Sequence, residues 1–309
     1  MVFFFYNLCY TLRQYINAKE AVMAYSYRSL RRALQDAGID GAGDEAALLL
    51  SRFCGVSRTA CLADPDKVHH GVGLDDAVAR RLTRYPLQYI LGTWDFFGCT
   101  FAVNEHCLIP RPDTECLVEM AIRTLPTGSF VADLCTGSGC IAVALLKARP
   151  DVRAVALELY PETLALAVEN AARNGVGDRL IPIGADLLKD GVASLQPLAP
   201  FDAIISNPPY IPGRVVDALA PELFFEPRAA LDGGEDGLTF YRAILTNYAG
   251  LVKPNGRILL EIGYDQADAM ADLAHTYVPN AAFSVEKDLG GNDRVVDICL
   301  PTIHSDRGD

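Results

Sequence analysis

From Ser129 onward the chain alternates short, β-branched apolar runs with longer stretches of helical spacing, and that alternation leaves few architectures open. Strand signals fall at residues 130–135, 153–157, 180–183, 201–206 and 257–262. Helical patterns lie between them, for instance at 140–148, 161–174 and 238–252. This spacing predicts an α/β fold, a parallel sheet with helices on both faces. The tail departs from the pattern. Residues 282–289 and 294–300 flank Gly290-Gly291-Asn292 and read as two final strands joined by a turn.

The first third of the chain is different. Residues 27–34 have apolar positions at helical spacing and end at Gly38. Residues 44–53 form a second helical stretch, with Asp44 in the N-cap position and Gly55 after the last turn. Residues 74–84 form a third with an acidic first turn, and His69-His70 falls in a polar loop. Residues 94–103, aromatic and β-branched around Gly98, predict a hairpin. A proline-stiffened loop, Ile109-Pro110-Arg111-Pro112-Asp113-Thr114-Glu115, then runs into a helix through Leu117 and Met120. The expected organisation is a helical domain over 1–87, a hairpin linker over 88–109, a main domain over 110–301 and a disordered tail over 302–309. The apolar opening from Met1 to Tyr10 is too short for a membrane span and lacks a small-residue cleavage site, so no membrane association is expected. Residues 1–22 are expected to be dispensable, with Met23 a natural start.

Charge and cysteines narrow the function. A formal charge of -12 argues against stable nucleic-acid binding, which needs Lys and Arg to neutralise phosphates. The 9 cysteines are scattered with no CxxC pair, and the 5 histidines show no ligand spacing. No metal site is expected, and the cysteine usage fits a reducing compartment such as the cytoplasm.

Chemistry concentrates at strand ends, where open α/β sheets place their ligand crevices. The first strand runs into Asp133-Leu134-Cys135-Thr136-Gly137-Ser138-Gly139, a turn that lets a ligand approach the main chain, followed at once by a helix N-terminus. It lacks the full GxGxxG of dinucleotide binders. Glu158 ends the second strand, where an acid commonly meets ribose hydroxyls. Asp186 follows the third and is placed to meet an exocyclic amine such as adenine's. Each acid alone reads as a helix-start residue; together they suggest an adenosine-containing cofactor lying across three strands. The fourth strand runs into Asn207-Pro208-Pro209-Tyr210. Two prolines cannot continue a ladder, so the turn presents an amide, free carbonyls and an aromatic ring, a set suited to gripping a planar NH2 group.

The combination of DLCTGSG, NPPY and IPRPDTE resembles the HemK/PrmC family of glutamine-N5 methyltransferases, and the similarity runs from about residue 27 to about residue 298. Supporting segments are Pro86-Leu87-Gln88-Tyr89-Ile90-Leu91-Gly92, Phe225-Glu226-Pro227 with Ala230-Leu231, Glu261-Ile262-Gly263 and Asp293-Arg294-Val295-Val296. The resemblance implies a class I S-adenosylmethionine-dependent methyltransferase fold, a Rossmann-like, seven-stranded, mostly parallel sheet with a C-terminal antiparallel strand. A small N-terminal helical domain, joined by a β-hairpin, would dock the protein substrate. Two positions depart from the family: Cys135 stands where many relatives have Gly, and Glu158 where the family usually has Asp.

The implied reaction is methyl transfer from S-adenosylmethionine to the N5 amide nitrogen of a glutamine in class I peptide chain release factors. The implied catalytic residues are Asn207, Pro208 and Tyr210. The Asn207 side-chain oxygen and the Pro208 carbonyl accept the hydrogens of the glutamine NH2, Tyr210 packs on the amide, and no general base is assigned. Pro209 and Phe97 complete the implied glutamine pocket. The implied cofactor residues are Asp133, Thr136, Gly137, Ser138, Gly139, Glu158, Asp186 and Asn207, with Arg111 and Thr114 flanking the methionyl end. For Arg111 a structural salt bridge is equally defensible, and Glu226 reads as a loop anchor. NPPY is shared with adenine-N6 methyltransferases of DNA or RNA, and ribosomal-protein glutamine methyltransferases are similar too; a dehydrogenase or a noncatalytic module fits the motifs less well.

Overall fold

A computed structural model describes residues 24–302. The apolar opening, residues 1–22 and the Met23 start lie outside the described residues, as does the expected tail apart from Thr302, whose hydroxyl donates to Asn255 Oδ1 at 2.6 Å. The chain divides into two compact units between Leu91 and Gly92.

The first unit holds helices Tyr27–Asp36, Ala42–Cys54, Arg58–Ala63, Leu74–Leu82 and Leu87–Leu91. A reciprocal box starts the first helix: Ser26 Oγ accepts from the Ser29 N–H at 3.1 Å and Ser29 Oγ from the Ser26 N–H at 3.0 Å. The second is capped by Gly41, not Asp44. Gly41 takes φ +71°, which lets the chain turn in, and Asp44 and Glu45 instead sit in the first turn beside the positive end of the helix dipole. The Leu74–Leu82 helix stops there because Arg84 adopts φ +71° and cannot extend it. A two-residue strand β1 (Tyr25–Ser26) pairs antiparallel with β2 (Val68–His69), so His69 is a ladder residue opposite Tyr25 and not part of a loop. Leu30, Leu34, Leu49 and Leu50 are completely buried at the centre of this unit.

The second unit opens with the hairpin β3 (Thr93–Phe96) and β4 (Cys99–Ala102), turned by Phe97 at φ +47° and Gly98 at φ +71°. Both turn residues have the positive φ that a tight hairpin requires. The main sheet follows: β5 (Phe130–Leu134), β6 (Arg153–Glu158), β7 (Leu180–Gly184), β8 (Phe201–Ser206), β9 (Val252–Glu261), β10 (Ala282–Lys287) and β11 (Asp293–Cys299). Its seven strands lie in the order β10-β11-β9-β8-β5-β6-β7. Pairs β5–β6, β6–β7, β5–β8 and β8–β9 are parallel, and β11 is antiparallel to both neighbours, so it alone opposes the rest. The strand order reverses between β5 and β8, which opens a crevice at their carboxyl ends.

Several boundaries differ from the sequence pattern. The helix expected over 238–252 is regular only over Thr239–Ala243, widens to a π-turn over Ile244–Tyr248 and closes with a 3-10 turn. Buried Tyr248 aims its hydroxyl at the Leu187 carbonyl at 2.6 Å, and Val252 already belongs to β9, opposite Phe201. The register slip between Phe201 and Ala203 hides that early start, since it breaks the alternation that marks a strand. The Ala267–Tyr277 helix had no counterpart in the sequence reading, although Met270 and Ala274, both buried, stand at helical spacing.

Candidate active site

The glycine turn after β5 is built from buried polar staples. Asp133 Oδ2 accepts from Thr136 Oγ1 at 2.6 Å and from the Ala142 N–H at 3.3 Å, tying the loop to the Cys140–Ala148 helix. Cys135 takes φ +58°, a left-handed conformation that favours glycine. A Cβ on Gly139 would stand 3.1 Å from Ala167 Cβ, so that glycine lets the loop seat against the Pro161–Arg173 helix. From that helix Asn170, completely buried, accepts from the Ala102 N–H at 2.7 Å and donates to the carbonyls of Ala102 at 3.0 Å and Ser138 at 2.9 Å. One side chain thus pins both the hairpin and the glycine turn.

Glu158 closes β6 with its carboxylate curled into backbone donors. Oε1 accepts from Leu159 N at 2.9 Å and Tyr160 N at 3.1 Å, and Oε2 from Gly137 N at 3.1 Å. The longer arm of Glu still reaches the glycine turn. Burial raises its pKa, and the three N–H groups act against that rise. Asp186, beyond β7, pairs with Lys189 at 2.9 Å and accepts from the Leu188 N–H at 2.9 Å; the lysine above all holds its carboxyl below the ordinary value.

At the end of β8, buried Ser206 fixes the approach by donating to the Leu134 carbonyl. Asn207 Nδ2 donates to Thr114 Oγ1 at 3.1 Å. The Tyr210 carbonyl accepts from Gln266 Nε2 at 3.0 Å, and its hydroxyl donates to Glu261 Oε1 at 3.4 Å. Burial raises the Tyr210 pKa, with the Glu261 charge adding to it. Arg111 pairs with Glu226, and Glu226 Oε2 accepts from the Ile109 N–H at 3.0 Å. The arginine charge is therefore engaged within the protein, and Glu226 anchors the proline-stiffened loop.

These elements surround a cavity of about 280 Å³. Its wall includes Arg111, Thr114, Thr136, Gly137, Ser138, Glu158, Asp186, Asn207 and Pro209. Asp133, Gly139 and Pro208 are not among the residues that line it, and Tyr210 packs against the sheet core. Phe97 is half-buried at the hairpin turn, where its N–H donates to Glu115 Oε1 at 2.8 Å, and it does not line the cavity. The sequence reading did not single out His106, Cys107 and Leu108 before the proline loop, nor Phe240. Pro227 and Ala230 it noted only as motif positions, yet all six line the wall. No spacing marks them as a group in the sequence, and the fold brings them in.

The wall fits S-adenosylmethionine. Ser138 Oγ is buried with no hydrogen-bond partner, and the place a Gly137 Cβ would take is open, with nothing within 4 Å. Apolar Ile141, Leu157 and Leu187 stand beside the two acids, a setting for an adenine ring with polar groups at its edge. Burial pushes the wall thiols up, Cys107 to about 11 and Cys140 to about 12, so neither is a thiolate nucleophile at neutral pH.

Two buried carboxyls have a cost for the fold. Desolvation pushes Asp133 and Glu261 each up to about 7, against ordinary values of 3.8 and 4.5. In that window the folded chain binds more protons than the unfolded chain, so stability falls as pH rises from 4.5 toward 7. The midpoint of urea unfolding is expected to be higher at about pH 5.5 than at about pH 8, and Glu261→Gln should flatten the difference. A midpoint that rises across this interval would contradict the assignment.

Residues 27–92 match the PrmC N-terminal domain family, and residues 113–239 match the methyltransferase small domain family. A release factor glutamine methyltransferase from Geobacter sulfurreducens is 41% identical over 272 residues, covering 86% of this chain and 92% of that one. Another from Cereibacter sphaeroides is 42% identical over 273 residues, 87% of this chain and 95% of the relative. Among solved structures, a methyltransferase from Pyrococcus furiosus superposes with a TM-score of 0.50 at 19% identity, over 67% of this chain and 91% of its own, a likeness of fold alone.

Proposed function

The chain belongs to the family of release factor glutamine methyltransferases, and on that premise we propose that it methylates the N5 amide nitrogen of a glutamine in class I peptide chain release factors. The observation that carries this reading is Asn207, which gives its NH2 end to Thr114 at 3.1 Å and so leaves Oδ1 to face the cavity as an acceptor. S-adenosylmethionine supplies the chemistry as a methyl on a sulfonium, an excellent leaving group.

The protein contributes position. A glutamine amide is a weak nucleophile because its lone pair is conjugated, and two acceptors that fix its hydrogens aim that lone pair. Asn207 Oδ1 and the Pro208 carbonyl are those acceptors, and both bonds strengthen as the nitrogen gains positive charge. Pro209 walls the pocket. Tyr210 supports it from behind, and Phe97 belongs to the hairpin that Asn170 ties to the glycine turn. Thr136, Gly137, Ser138, Glu158 and Asp186 hold the adenosine portion of the cofactor, braced by Asp133 and Gly139. Thr114 flanks the methionyl end, as does Arg111 with its remaining N–H groups. The N-terminal helical unit docks the factor, because a small amide pocket cannot select one protein by itself. The acidic chain is not expected to bind nucleic acid stably, and the reaction belongs to the cytoplasm, where translation ends.

Glu158→Ala is expected to weaken S-adenosylmethionine binding by about 10- to 100-fold in calorimetric titration, the loss of a charge-assisted contact. Affinity unchanged by the substitution would remove Glu158 from the cofactor site. The substrate class is tested by offering labelled S-adenosylmethionine with a purified class I release factor, an adenine-containing DNA duplex and ribosomal protein in parallel. Label on the release factor alone supports the reading, and label only on either of the others overturns it.

A further inference from the structure

Gln266 occupies the N-cap of the Ala267–Tyr277 helix, a position that favours Ser, Thr, Asp or Asn, yet its side chain makes no capping bond. The residue is buried, and its carboxamide is spent on three loops instead. Nε2 donates to the Tyr210 carbonyl at 3.0 Å and reaches the Gly237 carbonyl at 3.4 Å. Oε1 accepts from the Gly263 N–H at 2.9 Å. Carbonyls at one end and an N–H at the other fix the orientation of this amide. One side chain thus ties the turn after β8, the loop that ends at Gly237 and the turn after β9.

We propose that Gln266 is a positioning residue that keeps the Pro208 carbonyl on target by clamping the downstream end of the Asn207–Tyr210 turn. The stiffness of the turn makes that end decisive. Pro208 and Pro209 each have φ fixed by the ring. Asn207 and Pro208 each precede a proline, which confines their ψ to extended values. Residues 207–209 therefore move nearly as one body, and the first soft torsions beyond them are ψ of Pro209 and those of Tyr210. Strand β8 fixes the upstream end, where Ser206 donates to the Leu134 carbonyl. Downstream, the Tyr210–Ile211 peptide plane is held at both edges. The Ile211 N–H donates to the Leu231 carbonyl at 2.9 Å, and the Tyr210 carbonyl accepts from Gln266. The Tyr210 hydroxyl adds only a 3.4 Å contact with Glu261. Without Gln266 the plane can tilt about its remaining bond, and the Pro208 carbonyl tilts with it.

The junction is tightly built. Gly237 takes φ +77°, and a Cβ there would collide with the Tyr210 oxygen and stand 2.9 Å from Gln266 Nε2. A Cβ on Gly233 would stand 2.8 Å from the Pro209 oxygen and 2.7 Å from Tyr210 Cα. The two glycines let bare backbone seat against the prolyl turn, where Gln266 can lock it. Gln266, Gly237 and Gly263 are not among the residues that line the cavity, so any influence on the reaction passes through the main chain of the turn. The consequence for turnover rests on the functional reading above, and the clamp itself does not.

Two substitutions test the clamp in the full-length protein. Gln266→Met keeps the length of the side chain but cannot donate. Gln266→Glu keeps an acceptor for the Gly263 N–H and gives up at least one of the two donor hydrogens. With saturating S-adenosylmethionine and a class I release factor, each should lower the single-turnover rate about 10- to 100-fold, the cost of a slightly misplaced group. Affinity for S-adenosylmethionine should stay within about threefold. In the Asn207→Ala background, Gln266→Met should cost less than about threefold, because the two-acceptor grip is already broken. A side chain that only stabilises the fold would add its full cost there and weaken cofactor binding too. In ¹⁵N-labelled protein, the Ile211 amide resonance senses the hydrogen bond on the adjoining Tyr210 carbonyl. It should shift in both variants while the Gly137 resonance stays in place. Turnover within about threefold of wild type in both variants, or an equal loss with and without Asn207, overturns the proposal. An Ile211 resonance that does not move overturns it as well. If that resonance shifts but wild-type protein methylates no release factor, the substrate reading fails and the clamp stands.

Discussion

Asn207→Ala is expected to lower kcat for methyl transfer by about 10²- to 10³-fold while leaving S-adenosylmethionine affinity within about threefold. The alanine keeps the strand, both prolines and the cavity wall, and removes one of the two acceptors for the glutamine NH2. That acceptor matters most when the nitrogen becomes positive, so the loss belongs in kcat more than in KM. Asn207 is held by Thr114 at 3.1 Å, and alanine supplies no oxygen in place of Oδ1. Single-turnover rates with saturating cofactor check this. A fall confined to cofactor binding would assign Asn207 to the cofactor instead of the amide.

The largest stability effect is expected far from the chemistry, at Asn170. Its side chain makes three hydrogen bonds, all to backbone groups, from a position with 0% exposure. Asn170→Ala leaves the Ala102 N–H and the carbonyls of Ala102 and Ser138 without this partner and opens a cavity. Stranded buried groups cost roughly 1–3 kcal/mol each, so a loss of about 4 kcal/mol is expected. At 2–4 °C per kcal/mol this lowers Tm by roughly 10 °C. Asn170→Leu fills the volume and should rescue little, because the loss is one of polarity. The same change should weaken cofactor binding, since Ser138 lies on the cavity wall. A Tm within about 2 °C of wild type would show that the hairpin and the glycine turn hold without this tie.

Much of this site was legible because its chemistry sits where strand periodicity stops. Glu158, Asp186 and Asn207 are marked by position at the ends of β6, β7 and β8, and all three line one cavity. The resemblance carried the substrate, which no spacing could give. What was hidden follows from how the signals arise. Asn170 looks like an ordinary polar residue in Glu169-Asn170-Ala171, because its partners are 32 and 68 residues away. Glu261 was noted only as part of a motif; that it is buried beside Thr114 depends on β9 pairing with β8. The π-turn over Ile244–Tyr248 was lost because its apolar run fits a regular helical period, and the early start of β9 because Lys253-Pro254-Asn255-Gly256 and the register slip break the strand alternation. Asp44 resembled a helix cap, but the three residues before it already belong to or cap the helix, with Gly41 at φ +71°.

The account stands on a glutamine amide being gripped at the end of β8. Its most direct test incubates a purified class I release factor with S-adenosylmethionine and the wild-type protein or Asn207→Ala, then maps the factor by fragmentation mass spectrometry. One added methyl on a single glutamine side chain, present with wild type and lost with Asn207→Ala, is the predicted result. A methyl on any other residue type, or equal methylation by the two proteins, would contradict it.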